Sequence, residues 1–313
     1  MGELVNSICF QENNITWVQA ETDGNNNVNI KRVAENPLPF VINYDNLQRS
    51  ATSLEIANQL KKMRDEYGVG DGSVRFLIPA RFGMVKKVYV DQYIPQDVHE
   101  EVVKFELEQT LPASTNDYLI YRPDYSRESN FLQELLTVVV PKNLFAFFRE
   151  ISEEAQLSVK EINLNCFALD NLYRKLFPNL IGETMLVNFT QHGYEFILSD
   201  QKNFLNYIYK PYSRNLQSVE QLSDEEIASN FISLVEDIQR PGSVDTPLYS
   251  ISQIYVFGNL LKPEWLDHIN DRGLPTTRIL NPTDSTEWQI VFTEPSLNTN
   301  ELYRFVEPFS NIF

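Results

Sequence analysis

Two short stretches roughly 180 residues apart share one layout, and that repetition constrains the fold more than any other feature of the chain. In the first, Ile8-Cys9-Phe10 runs into Gln11-Glu12-Asn13-Asn14 and leaves through Ile15-Thr16-Trp17-Val18. In the second, Leu186-Val187-Asn188-Phe189 runs into Thr190-Gln191-His192-Gly193 and leaves through Tyr194-Glu195-Phe196-Ile197. Aromatic and β-branched runs on either side of a small polar turn predict antiparallel hairpins. A hairpin opening each half of a 313-residue chain predicts two lobes of similar build, the way a two-lobed nucleotide cleft is made. A phosphate-gripping turn needs glycine so that backbone N–H groups can approach the anion. It also needs an acidic residue to hold Mg²⁺. Neither turn has both, which predicts a nucleotide-binding architecture without its nucleotide chemistry.

Composition narrows the function. A net charge of −17 argues against nucleic-acid binding, which relies on Lys and Arg neutralising phosphates, and against docking on anionic lipid. Cys9 and Cys166 form no disulfide framework or zinc spacing and are expected as buried, reduced thiols. No apolar run reaches the length of a membrane span, and the N-terminus lacks the basic and apolar regions of a secretory signal. Gly2 is a poor match to an N-myristoylation site, because Ser7 falls one place late. The chain reads as cytoplasmic.

Alternating apolar residues predict strands at 5–10, 15–20 and 28–33, then a helix at 54–67 capped by Ser53 and ended by Gly68 and Gly70, then a strand at 74–79. Three strands, a helix and a strand is the order of one actin-like or ribonuclease-H-like half. A compact β-α-β-β-α block follows: strand 85–93, helix 97–110, long strands 118–125 and 131–141, helix 142–155. A strand at 159–163 and a helix at 167–176 return to the first lobe. The second half repeats the meander at 185–189, 194–199 and 204–209. It continues with a helix from Ser223 to about Gln239, a strand at 253–257, a helix at 264–272 and a strand at 276–279. The stretch with Pro241, Gly242 and Pro247 reads as a loop, 282–297 as an irregular or short-stranded link, and 300–306 as a last short helix. The fold class expected is α/β, a two-lobed actin-like (ribonuclease-H-like) fold with an inserted subdomain. The boundaries are 1–82 with 157–182 for the first lobe, 83–156 for the insertion, and 183–313 for the second lobe.

The run Glu-Val-Val-Lys-Phe-Glu-Leu-Glu-Gln-Thr-Leu-Pro at 101–112 resembles the insertion helix of PilM-type type IV pilus assembly proteins. Val138-Val139-Val140-Pro141-Lys142 resembles their strand leading into the next helix, and Ile162-Asn163-Leu164-Asn165-Cys166-Phe167-Ala168-Leu169 their return strand and helix. Ile254-Tyr255-Val256-Phe257-Gly258-Asn259 and Gly273-Leu274-Pro275 stand in the places of the adenosine loop and final strand. The resemblance implies that the insertion is an SHS2-type subdomain shared with FtsA-like actin homologues. It also locates departures. An Asp-Ile-Gly-Ser-Ser-Ser turn becomes Cys9, Phe10, Gln11, Glu12, Asn13 and Asn14. A second Asp-Ile-Gly becomes Asn188, Phe189 and Thr190, and a glycine-rich adenosine loop becomes Phe257, Gly258, Asn259 and Leu260. Loss at all three places predicts that ATP with Mg²⁺ is not a cofactor, and that no cofactor or metal is bound.

Catalysis finds no other support. His99, His192 and His268 fall on separate elements, and His192 is expected as a surface-turn histidine. Glu106 and Glu108, two apart on a helix, face different ways, while Glu101, Lys104 and Glu108 are expected on a solvated face. Phe145, Phe147 and Phe148 span too much arc for all three to face inward. By resemblance, a short N-terminal tail of a bitopic inner-membrane protein, PilN-like, binds between the first lobe and the insertion. The walls are expected from 81–88, 97–110 and 142–155, with Val85, Val88, Phe105, Phe145 and Phe148 as contacts. The resemblance implies a non-enzymatic scaffold at the inner face of a bacterial inner membrane, with a pilus or secretion ATPase as a further partner. An active actin-like ATPase with divergent loops and a GspL-like type II secretion scaffold are the alternatives.

Overall fold

The structure is a computed structural model. It describes residues 2–313 apart from 25, 48, 69–72, 124–125, 130–131, 214, 216, 241–248, 272–273, 286 and 294–296. Gly70, Tyr125, Phe131, Gly273 and the 241–248 loop therefore lie outside the described residues.

The chain opens with the meander β1 (Glu3–Phe10), β2 (Asn14–Thr22) and β3 (Asn27–Pro37), then α1 (Ser50–Tyr67) and β4 (Ser73–Ile78). Helix α1 begins earlier than the sequence suggests. Ser53 lies inside it, buried, its hydroxyl donating to the Ser50 carbonyl at 2.8 Å rather than capping an end. Ile56, Ala57, Leu60 and Met63 form the buried stripe at helical spacing, while Leu54 is exposed. Gly68 follows at φ +57, the left-handed conformation that lets the helix stop there.

The next block holds β5 (Met84–Asp91), α2 (His99–Glu108), β6 (Tyr118–Tyr121), β7 (Ser126–Ser129), β8 (Leu132–Pro141) and α3 (Lys142–Ala155). The single strand expected at 118–125 is shorter, and β6 and β7 pair with successive stretches of β8. The four-stranded sheet has the order β5-β8-β6 with β7 on β8. Helix α2 packs on it through Val103 and Leu107, which meet Val88, Val90, Leu135 and Val139. Helix α3 buries Leu144, Phe147, Phe148, Ile151 and Ala155 on one face.

After β9 (Ser158–Leu164) and α4 (Asn165–Leu176), the second meander is β10 (Glu183–Phe189), β11 (Gly193–Ser199) and β12 (Phe204–Pro211). Helix α5 (Asp224–Gln239) starts on a capping box. The Glu226 N–H donates to the Ser223 hydroxyl at 3.3 Å, and the Ser223 N–H donates back to the Glu226 carboxylate at 2.8 Å. Then come β13 (Ile251–Phe257), α6 (Trp265–Asn270), β14 (Thr277–Ile279), β15 (Gln289–Phe292) and α7 (Val306–Ser310). The final helix lies later than the 300–306 expected. Residues Thr299–Phe305 wind as a tighter 3-10 turn that leads into it.

Two larger sheets have the orders β15-β3-β2-β1-β4-β9 and β12-β11-β10-β13-β14. The second repeats the first strand for strand, a meander followed by two parallel strands, with β15 added parallel to β3. Both hairpins close alike. The Gln11 N–H donates to the Asn14 carbonyl at 2.9 Å, and the Thr190 N–H to the Gly193 carbonyl at 3.0 Å. Long-range contacts divide the chain into two compact units: Met1–Phe40, Lys62–Ile78 and Ser158–Phe313 form one, Val41–Lys61 and Pro79–Leu157 the other. The first unit holds both larger sheets, and the second holds the four-stranded sheet.

Candidate functional site

The two polar turns are tied to each other. His192 Nδ1 lies 3.1 Å from the Glu12 carboxylate, and the Asn13 amide reaches Gln191 Oε1 at 3.4 Å. His192 is half-buried in this pairing rather than a free surface histidine. The sequence reads it as a surface-turn histidine, because a sequence does not say which turn faces which. Asn14 donates to Thr16, Glu35 and Gln11, and the Thr190 hydroxyl donates to the Gly193 carbonyl at 2.9 Å.

Behind the turns lies a buried polar network fed from four elements. The amide nitrogen of Asn165, at the head of α4, donates to Glu195 at 2.9 Å and to Glu307 at 2.7 Å. The amide nitrogen of Asn188, at the end of β10, donates to the same two carboxylates at 2.9 and 3.2 Å. Gln11 Nε2 donates to Glu307 at 2.9 Å, and the Tyr207 hydroxyl to Glu195 at 2.9 Å. The remaining position, Gly258 beside half-buried Asn259, is bound to the same C-terminal segment: its N–H donates to the Tyr303 carbonyl at 3.0 Å. Gly258 has φ +126, and a Cβ there would come within 2.6 Å of the Phe189 carbonyl and 2.8 Å of Asn188 Oδ1. Glycine is kept for close approach of protein to protein.

At the first turn the Gln11 side chain stands where a phosphate-gripping turn leaves open backbone, and the Glu12 carboxylate beside it faces His192. Cys9 and Cys166 are buried beside the network. Burial, reinforced by the negative charge of Glu307 and Glu195 at Cys9 and of Glu195 and Asp170 at Cys166, pushes both thiols well above their ordinary range. Both stay protonated and poorly nucleophilic at neutral pH. Asn188, Gln11 and Glu12 are legible as site residues from the turns alone. Glu195, Asn165 and Glu307 are not, although a lone acid in the apolar run Phe305-Val306-Glu307-Pro308-Phe309 is a usable signal that it must be paired.

The second unit carries a groove of about 460 Å³ lined by Tyr44, Met84, Leu111, Pro112, Tyr118 and Val139, together with Pro141 and Asn143. Gly83 lies in its wall, where a Cβ would meet the Val139 carbonyl at 2.8 Å. Tyr44 donates its hydroxyl to the Phe82 carbonyl and stacks edge-on to the Phe82 ring at 5.7 Å, which fixes one wall. Burial pushes the Tyr44 phenol up from its usual range. The groove takes Met84 from the 81–88 stretch, the Leu111-Pro112 end of the helical run, and Asn143 from the head of α3.

The five expected contact residues divide. Val88, 2% exposed, belongs to the sheet–helix core with Val103 and Leu107, and Phe148, 1% exposed, is a core side chain of α3. Neither presents surface to a peptide, because each faces into the unit's own packing. Phe105 is 61% exposed, and Val85 and Phe145 are half-buried. Glu101, Lys104 and Glu108 are exposed, but the contacts of α2 run elsewhere: Glu100 pairs with Arg122 at 2.8 Å, Glu106 with Lys86 at 3.8 Å, and Glu108 accepts from Thr115.

The duplicated sheet order and the inserted four-stranded unit define an actin-like fold. Within that class the fold is PilM-like. The chain superposes on a structure described as a PilM-PilN type IV pilus biogenesis complex with a TM-score of 0.69, covering 98% of this chain and 95% of that one at 13% identity. The cytoplasmic domain of EpsL, an inner-membrane component of the type II secretion system of Vibrio cholerae, gives 0.52 over 97% and 94% at 11% identity. The ethanolamine utilization protein EutJ from Carboxydothermus hydrogenoformans gives 0.53 over 99% and 89% at 9% identity. No protein-family model and no curated protein sequence matches the chain. Among the described residues, no helix is long and apolar enough to cross a membrane, which says nothing of strands.

Proposed function

We propose that this chain is a non-enzymatic scaffold of a type IV pilus or related secretion machine. It binds the short cytoplasmic tail of a PilN-like inner-membrane protein and does not use ATP. The observation that carries the reading is PilM-like architecture over almost the whole chain, combined with turn groups engaged by the protein itself: Gln11 and Asn188 by the Glu307 carboxylate, and the Gly258 N–H by the Tyr303 carbonyl. The apolar groove lined by Tyr44 and Tyr118 is the docking place the chemistry favours: it is walled largely by aromatic and aliphatic side chains and suited to a few apolar residues of an extended peptide. Localisation at the inner face of a bacterial inner membrane then comes through the partner. A GspL-like role in type II secretion is the second reading, favoured by the likeness to the EpsL cytoplasmic domain.

The test uses fluorescent peptides copied from the cytoplasmic tails of single-span proteins encoded beside this gene. At least one tail should bind, and Met84→Glu or Leu111→Glu should weaken it by roughly tenfold or more, because a charge in an apolar groove is left unpaired. Binding unchanged by both substitutions rules out the groove, and a folded protein that binds no tail rules out the scaffold. For the cleft, millimolar magnesium-ATP should leave the melting temperature unmoved. A bound ligand at a hundredfold excess over its Kd stabilises by about 2.7 kcal/mol, so a clear upward shift would restore the ATPase reading.

A further inference from the structure

The geometry points to Glu307 as a built-in ligand: its carboxylate fills an anion site formed by the turns of both meanders, so the cleft holds part of its own chain in place of an exogenous anion. The inference concerns the first unit alone and is independent of which peptide, if any, occupies the groove.

Three observations carry it. First, Glu307 is 4% exposed, and a carboxylate is left so buried only where donors replace water. Those donors come from three parts of the fold: Gln11 Nε2 from the first turn at 2.9 Å, Asn188 Nδ2 from the end of β10, just ahead of the second turn, at 3.2 Å, and Asn165 Nδ2 from the head of α4 at 2.7 Å. Second, the segment that delivers Glu307 is anchored on its other side. Leu302, Phe305, Phe309 and Ile312 pack against Val5, Val18, Val28 and Ile30, so the carboxylate is held in place by apolar burial it does not itself supply. Third, the loop at Gly258 donates its N–H to the Tyr303 carbonyl. All three turns therefore converge on one C-terminal segment. Donors on the side chains of Gln11 and Asn188 reach further than a backbone N–H, which suits a carboxylate seated between the turns.

The class of ligand is a small carboxylate, and chemical rescue tests it. Glu307→Ala removes a fragment the size of acetate while leaving the three amides pointing at the gap. The variant should melt several degrees below the wild type. Sodium acetate should raise its melting temperature saturably, beyond the effect of sodium chloride at equal ionic strength, and should do no such thing for the wild type. Equal responses of the two proteins to acetate and chloride would overturn the assignment. Should Glu307→Ala not fold, a double substitution decides. Glu307→Gln sets an amide donor against Gln11 Nε2 and should lower the melting temperature. Adding Gln11→Glu restores a donor–acceptor pair with its direction reversed, so the double variant should melt above the sum of the single effects. Strict additivity, or a double variant worse than additive, counts against the proposal.

Discussion

Asp170 shows how much a single buried carboxyl can weigh. It lies on α4, 1% exposed, accepting hydrogen bonds from the Ser199 hydroxyl and from Arg174. Burial outweighs the guanidinium and the hydroxyl and raises its pKa to about 6. In the unfolded chain the same carboxyl titrates near 3.8. Between these values the folded protein holds the proton and the unfolded chain does not, so this residue's contribution to stability grows as pH falls from about 6 towards 4. It is lost again as pH rises through 6. The full difference is about 3 kcal/mol from the separation of the two values. Unfolding titrations at several pH values, comparing wild type with Asp170→Asn, should show the difference between them changing in this window and in this direction. A difference that stays flat from pH 4 to 7 would mean that the carboxyl is ionised throughout. At this scale the sequence discloses residue types but not partners. Gln11 and Asn188 announce themselves by replacing expected turn residues, whereas Glu307 becomes a site residue only through Gln11, 296 positions away, and Glu195 only by sharing Asn165 and Asn188 with it.

Element by element, the period of apolar residues was a reliable guide where a helix or strand has one buried face. Helix α3 begins and ends where the spacing of Leu144, Phe147, Phe148 and Ile151 predicts. Its C-terminus also stores a local cost. Gln156 sits at φ +55, and the next residue closes the end, the Leu157 N–H donating to the Ser152 carbonyl at 2.9 Å. A side chain in this left-handed position is disfavoured, and glycine is the residue that suits it. Gln156→Gly should therefore raise stability by about 0.5–1 kcal/mol in urea unfolding, whereas the same change within α3 would lower it. Other ends were less legible. Helix α1 starts ahead of Ser53, at exposed Ser50 and Ala51, and nothing in the pattern of these small residues marks the boundary. The strand 118–125 breaks after Tyr121 because its partner β8 sets where pairing continues, a decision made by a different part of the chain.

On the scale of the molecule, each unit has its own apolar core, and a core deletion should be felt where it is made. Phe148→Ala removes a fully buried ring and should cost about 3–5 kcal/mol, speeding amide exchange across Met84–Asp91, Leu132–Pro141 and Lys142–Ala155 ahead of Glu183–Phe189 and Gly193–Ser199. Phe105→Ala, at an exposed ring, should stay within about 0.5 kcal/mol of wild type. Uniform acceleration through all strands would show that the two units unfold as one. The sequence by itself determined the duplicated meander, the inserted block and two turns neither of which has both glycine and an acid. Each of these is written in local composition and in periods of two and 3.6 residues, which fix which face of an element is apolar. Only the tertiary structure decided which polar groups meet behind the turns. The site is assembled from Gln11, Asn165, Asn188, Glu195 and Glu307, residues that no local period links. They are brought together because two sheets and a C-terminal segment must each bury an apolar face, and the polar groups caught between them must then satisfy one another.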